Sequence, residues 1–136
     1  MISTLEIIDK LYMFLNVPEI TSVITGKVCK SIRPLNSRKV DIVIGCLPTN
    51  NLQLQTAVAN VNIHVPNLIL KVDNVQDNSQ PDIKKLRSLT DIVISKLKET
   101  YSGDYWFDVQ QQHVFAEENI NEHYSNIRVN FYSINI

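Results

Sequence analysis

Glycine is scarce in this 136-residue chain, present only as Gly26, Gly45 and Gly103. A loop that cradles phosphate needs several glycines within a few positions, so a P-loop and a dinucleotide-binding turn are both excluded. No Gly-x-Ser-x-Gly nucleophile elbow occurs. Cysteine is limited to Cys29 and Cys46, with no Cys-x-x-Cys pair, and His64, His113 and His123 lack the spacing of a zinc pair. Both cysteines fall in expected strands and read as buried free thiols. No window approaches the roughly 18 apolar residues of a membrane span. The early acids Glu6 and Asp9 argue against a signal peptide. A net charge of −1 gives no support for general binding to polyanions or membrane surfaces. The expectation is one soluble, intracellular domain over residues 1–136, with no cofactor, no metal, no membrane partner and no specific nucleic-acid partner. Hydrophobic content of 44% and charged content of 20% are ordinary for such a domain.

What is present is strong patterning. From Gln55 to Asn67, Ala57, Ala59, Val61, Ile63 and Val65 alternate with Asn60, Asn62 and His64. Side chains of a strand alternate faces, so this is a long half-buried strand, closed by Pro66. Before it, Lys27–Ile32 and Val40–Leu47 read as strands, the second rich in β-branched residues. The polar turn Pro48–Asn51 predicts antiparallel pairing with the long strand. At the start, Ser3 and Glu6 form a capping-box pattern. Leu5, Ile7, Ile8, Leu11, Tyr12, Phe14 and Leu15 then fill one half of a helical wheel, ending before Pro18. A second helix is predicted after Pro81 and Asp82, with Ile83, Leu86, Leu89, Val93, Ile94, Leu97 and Tyr101 on one arc and Gly103 as a stop. Residues 66–80 read as a connector and 117–123 as a polar loop. Residues around 106–116 and Tyr124–Ile136 read as a closing hairpin.

The order is therefore helix, three strands, helix, two strands. One apolar face on each helix and on the long strand predicts an α+β two-layer sandwich. A mostly antiparallel sheet of about five strands is covered on one face by two helices. The other face carries Asn60, Asn62, His64, Arg128 and Asn130.

Catalytic chemistry is thin. His64, His113 and Asp108 could form a site only by meeting across the sheet, and polar residues on a solvated face are the better account of them. Glu117 and Glu118 are adjacent and would point to opposite faces of a strand, so they make no close carboxylate pair. Trp106 beside Phe107 is either a stacking platform or an apolar anchor.

Charge is unevenly distributed. Lys27, Lys30, Arg33, Arg38 and Lys39 form a basic segment with no acid, while Glu99, Asp104, Asp108, Glu117, Glu118 and Glu122 form an acidic one without Lys or Arg. The segments could be solvated, could pair within the monomer, or could join copies head to tail. In the last case, complementary patches would register a heterologous interface. Lys30, Arg33, Arg38, Lys39, Asp104, Asp108, Glu117 and Glu118 are then the candidate subunit-interface residues.

This order of elements resembles the small tail-terminator, or tail-completion, proteins of long-tailed bacteriophages, the lambda tail terminator among them. The resemblance rests on the opening helix Ser3–Leu15, the strand Gly26–Pro34 with its basic loop, and Asp41–Ile44. It continues through Val61–Pro66, the second helix and the closing hairpin. It implies a non-enzymatic phage or prophage structural protein that forms a hexamer-sized ring, caps the tail tube and joins it to the head. Its partners would be its own copies, the tail-tube protein and head–tail connector proteins. Its location would be the host cytoplasm during assembly and then the virion tail. A small binding or adaptor module, and an enzyme built on His64, His113 and Asp108, are the other classes.

Overall fold

A computed structural model describes residues 1–98 and 100–135. Among these, the chain order is α1 (Thr4–Leu15), α2 (Pro18–Thr21), β1 (Val28–Lys30), β2 (Asp41–Cys46), β3 (Leu54–Pro66), β4 (Leu70–Val72), β5 (Val75–Asp77), α3 (Ile83–Leu97), β6 (Tyr105–Glu117) and β7 (Glu122–Ile134). The main sheet runs β1-β2-β3-β7-β6. All its pairs are antiparallel except β1 with β2, which is parallel. The helices pack on one face, giving the α+β fold that the patterning predicts.

β3 sits at the centre because its alternation satisfies two neighbours at once. Ala57, Ala59, Val61, Ile63 and Val65 are buried under the helices, and all thirteen of its residues pair with β7. Ile127, Val129 and Phe131 continue the same buried face on β7. From above, α1 contributes Ile7, Ile8, Leu11 and Leu15, and α3 contributes Leu86, Leu89, Val93 and Leu97. Each such side chain stabilises the fold by about 1.5–3 kcal/mol on burial. Ser3 Oγ accepts from Glu6 N–H at 3.2 Å, and Asp82 Oδ1 from Lys85 N–H at 3.2 Å, so both long helices carry side-chain caps.

Several expectations need correction. The strand expected over Lys27–Ile32 lasts three residues, because Ser31 takes a left-handed φ of 65° and turns the chain out of the sheet. Leu5 and Ile83, placed on the apolar arcs by periodicity, are exposed at the helix starts, and Tyr101 lies beyond the end of α3. The helix stops at Leu97 rather than at Gly103, whose φ of 94° serves the turn before β6. The 66–80 connector contains a small hairpin, β4–β5. Asp73 and Asn74 both have positive φ (51° and 64°), as a two-residue turn of the primed type requires. The polar loop at 117–123 is shorter than expected: Glu117, Glu122 and His123 belong to strands, and a 3-10 turn over Glu118–Ile120 with left-handed Asn121 joins them. β6 is one strand with an irregularity between Val109 and Gln111.

Candidate functional site

Among the described residues, a dense electrostatic centre lies on the face away from the helices, where the starts of β2 and β7 flank the end of β3. The loop after β1 folds back across this face and delivers Arg33. Its Nε donates to Asp41 Oδ2 at 2.8 Å. Nη1 and Nη2 donate to the two oxygens of Glu122 at 2.6 and 3.1 Å, and Nη2 also to Lys39 O at 2.7 Å. Asp41 further accepts from Lys27 N–H at 2.9 Å and from Ser37 Oγ. Asp41 is 1% exposed and Glu122 0%. Burial alone would raise the Asp41 carboxyl, but the Arg33, Ser37 and Lys27 hydrogen bonds outweigh it and hold the group below the usual carboxylate range. Burial likewise opposes the Arg33 charge, and Glu122 with Asp41 more than restores it.

His64, opposite Asp41 on β3, borders this centre. Its Nδ1 stands 3.5 Å from Glu117 and 3.9 Å from Glu122, yet makes no hydrogen bond among the described residues. Burial, then the Arg33 charge, push its pKa below the ordinary 6.5 against the pull of the carboxylates.

Two pH windows follow. The unfolded chain takes up a proton at position 64 before the folded chain does, so stability falls as pH drops below about 6.5. The Asp41 contribution is complete above about pH 3.9 and is lost as pH falls through its lower folded value. Thermal melts from pH 7.5 to 5 should show the first loss, and His64→Gln should flatten that window alone. Equal slopes in the two proteins would refute the assignment to His64.

The rest of the open face is amide and aromatic. Asn126 Nδ2 donates to Asn60 at 3.1 Å and to Asn62 at 2.7 Å. A row of rings runs from His64 to Tyr124 (5.3 Å between centroids), Phe115 (5.4 Å) and His113 (4.8 Å). Trp106 stacks on Tyr132 at 5.3 Å, while its neighbour Phe107 turns to the core and supplies the apolar anchor.

His64, His113 and Asp108 are not brought together. Tyr124 and Phe115 stand between the histidines. Asp108 pairs with Asn130 and His113 with Asn126, four strand residues apart, or about 13 Å. Among the described residues, no group of three or more His, Cys, Asp or Glu could hold a metal ion.

The expected interface residues separate into two sets. Arg33 needs correction: its guanidinium is committed to Asp41 and Glu122 of its own chain and is 15% exposed, so it is not free to meet another copy. Glu122 is buried with it. The pairing within the monomer that the charge split allowed is thus realised at this one point. Lys30 is exposed, 2.7 Å from Asp9 and over the Tyr12 ring. Arg38, Lys39, Asp104, Asp108 and Glu118 are exposed, and Glu117 is half-buried beside His64. Glu99 lies outside the described residues.

Sequence reasoning missed Asp41, Glu122 and Ser37. An acid inside the β-branched run Val40–Ile44 was the available signal, since an unpaired carboxylate is not tolerated there.

A groove of about 530 Å³ runs beside β1, lined by Tyr12, Val28, Lys30, Ile32, Pro34 and Leu35 among others. Ile32 is 80% exposed and Leu35 92%. No helix among the described residues is long and apolar enough to cross a membrane. Comparison with protein-family models and with curated proteins finds no match.

Proposed function

We propose that the chain is a structural subunit that assembles head to tail into a ring, in the manner of the phage tail terminators it resembles. The observation that carries this reading is where charge remains after the central ion cluster has taken Arg33, Asp41 and Glu122. Lys27, Arg38 and Lys39, with Lys30 beside Asp9, belong to the β1–β2 side of the sheet. Asp104, Asp108, Glu117 and Glu118 belong to its β6 side. Two different patches of opposite sign, at opposite ends of one sheet, are what a heterologous contact needs. An isologous contact made through one sheet edge would set that edge, and its charge, against itself. The dispersal of His64, His113 and Asp108 favours this structural role over a hydrolytic site.

The β4–β5 hairpin adds support. An isolated two-stranded hairpin is marginal in water, yet here Ile69, Val72 and Val75 are 76%, 59% and 67% exposed. Such a hairpin suits contact with a further protein of the assembly, which in this reading is the tail tube or the head-side connector.

The test is charge reversal at Arg38 and Lys39, which leaves the buried cluster's side chains untouched. Sedimentation or light scattering at high protein concentration should show multimers of the natural chain that weaken with salt. Arg38→Glu/Lys39→Glu should weaken association at least tenfold, with partial restoration by Asp108→Lys/Glu118→Lys in the mixed partner. Unchanged association would overturn the reading.

A further inference from the structure

We propose that copies join by extending the sheet: β6 of one copy lies along the free edge of β1 in the next, within the groove beside it. This rests on the head-to-tail reading above and names its surface.

β6 is an outermost strand of 13 residues, paired among the described residues with β7 alone. Natural edges are blunted by lysine, proline or brevity, but Tyr105–Glu117 contains no Lys, Arg or Pro. Asp108, residues 110–113, Phe115 and Ala116 are exposed, and Phe115 is 43% exposed. Its irregularity near Gln110 leaves residues 111–117 in regular register.

β1 is the opposite edge. Lys27 O accepts from Ile42 N–H at 3.1 Å, and Ser31 N–H donates to Ile44 O at 2.7 Å. Strand alternation therefore turns both backbone groups of Val28 and the N–H of Lys30 away from β2, toward the open side, while the Lys30 carbonyl accepts from Ile32 N–H at 2.7 Å. The groove there has apolar walls, Tyr12 on one side and Pro34 with Leu35 on the other, whose exposed carbon an incoming strand would cover.

Direction and height agree. β1 and β2 are parallel, and three antiparallel steps follow to β6. β6 therefore runs opposite to β1. A second copy set alongside, without being turned over, meets the first in the antiparallel sense, with all helices on one side. Followed straight across the sheet, Val28 is level with Ile42, Ile63, Ser125 and Val114. Lys30 is level with Gln112 by the same route. Asp41 is level with Phe115, which places Arg38 and Lys39 at the same end of the sheet as Glu117 and Glu118. The exposed run of β6 thus stands at the height of the groove, with acid opposite base.

The experiment uses the full chain with added surface thiols. Leu35→Cys and Phe115→Cys are each made alone, checked for native circular dichroism, and mixed under mild oxidation at high concentration. The natural chain controls for Cys29 and Cys46. Disulfide-linked dimer should be at least tenfold more abundant in the mixture than in either variant alone, and Arg38→Glu/Lys39→Glu should abolish the excess. Linked dimer from Phe115→Cys alone would mean that β6 pairs with itself, and would overturn the proposal. Should either variant misfold, carbodiimide treatment of mixed ¹⁴N- and ¹⁵N-labelled natural chain replaces it. Isotopically mixed peptides joining Lys27, Lys30 or Lys39 to Asp108, Glu117 or Glu118 are expected, and their absence overturns the contact. Light scattering on the natural chain separates the two levels. Multimers without these links overturn the edge contact only, whereas a monomer at every concentration overturns head-to-tail assembly and the edge contact with it.

Discussion

Replacing Arg33 by methionine is expected to cost about 3–5 kcal/mol of folding stability, the usual effect of stripping a buried ion pair of one partner. The size follows from what is left behind. Asp41 and Glu122, at 1% and 0% exposure, would each keep a charge or take up a proton with their best donors gone. Lys27 reaches Asp41 through its backbone N–H, and His64, the nearest other base, stands 3.9 Å from Glu122 and cannot replace the three guanidinium bonds. Arg33→Lys should recover only part of the loss, since one ammonium cannot present the planar fork that grips Glu122 with two nitrogens while a third reaches Asp41. Urea denaturation provides the measurement. With a slope of about 1–3 kcal/mol/M, the midpoint should fall by more than 1 M, while Arg38→Met on the exposed neighbour should stay within about 0.5 kcal/mol. A change below 1 kcal/mol for Arg33→Met would show that the cluster contributes nothing net.

Gly26→Ala should be nearly as damaging although it adds a single methyl group. A Cβ at this position would sit 1.8 Å from Asp41 Oδ1 and 2.7 Å from Val40 O. Neither neighbour can yield cheaply: the carboxylate is fixed by Arg33, Ser37 and Lys27 N–H, and the Val40 carbonyl accepts from Gly26 N–H at 2.9 Å. Overpacking of this kind costs about 1–3 kcal/mol, and loss of the Lys27–Asp41 bond adds about 1–3 kcal/mol if the buried acceptor goes unmatched. Gly45→Ala is the internal control, because nothing lies within 4 Å of its added Cβ. Similar midpoints for the two variants in urea would remove the claim that Gly26 is required by close approach.

These two residues show where the sequence was readable and where it was not. Periodicity exposed β3, α1 and α3 because each must bury one regular face; of the expected arcs, Leu5, Ile83 and Tyr101 are exposed and Tyr12, Phe14 and Ile94 only partly buried. The β4–β5 hairpin escaped because its turn is Asp-Asn, without the glycine that usually marks a two-residue loop. The parallel step from β1 to β2 escaped because a left-handed Ser31 carries no periodic signature. The ion cluster was invisible for a different reason. Arg33 and Glu122 are 89 positions apart, and nothing local distinguishes an arginine that will be enclosed from one that will face water. Charge counting therefore placed Arg33 with Arg38 and Lys39, and only the fold separates them.

The strand order also has a consequence for how the molecule comes into being. β7, the last strand in sequence, lies between β3 and β6 and holds the register of both. Leu54 waits for Ile134, and Ala59 for Val129. During synthesis this β3 edge stays bare until β7 emerges, and the loop that must then close comprises residues 67–121. Contacts of such sequence separation slow folding, since chain entropy is lost before any pairing repays it. The β6–β7 hairpin is the local event that can come first, with β3 and the helices closing onto it afterwards.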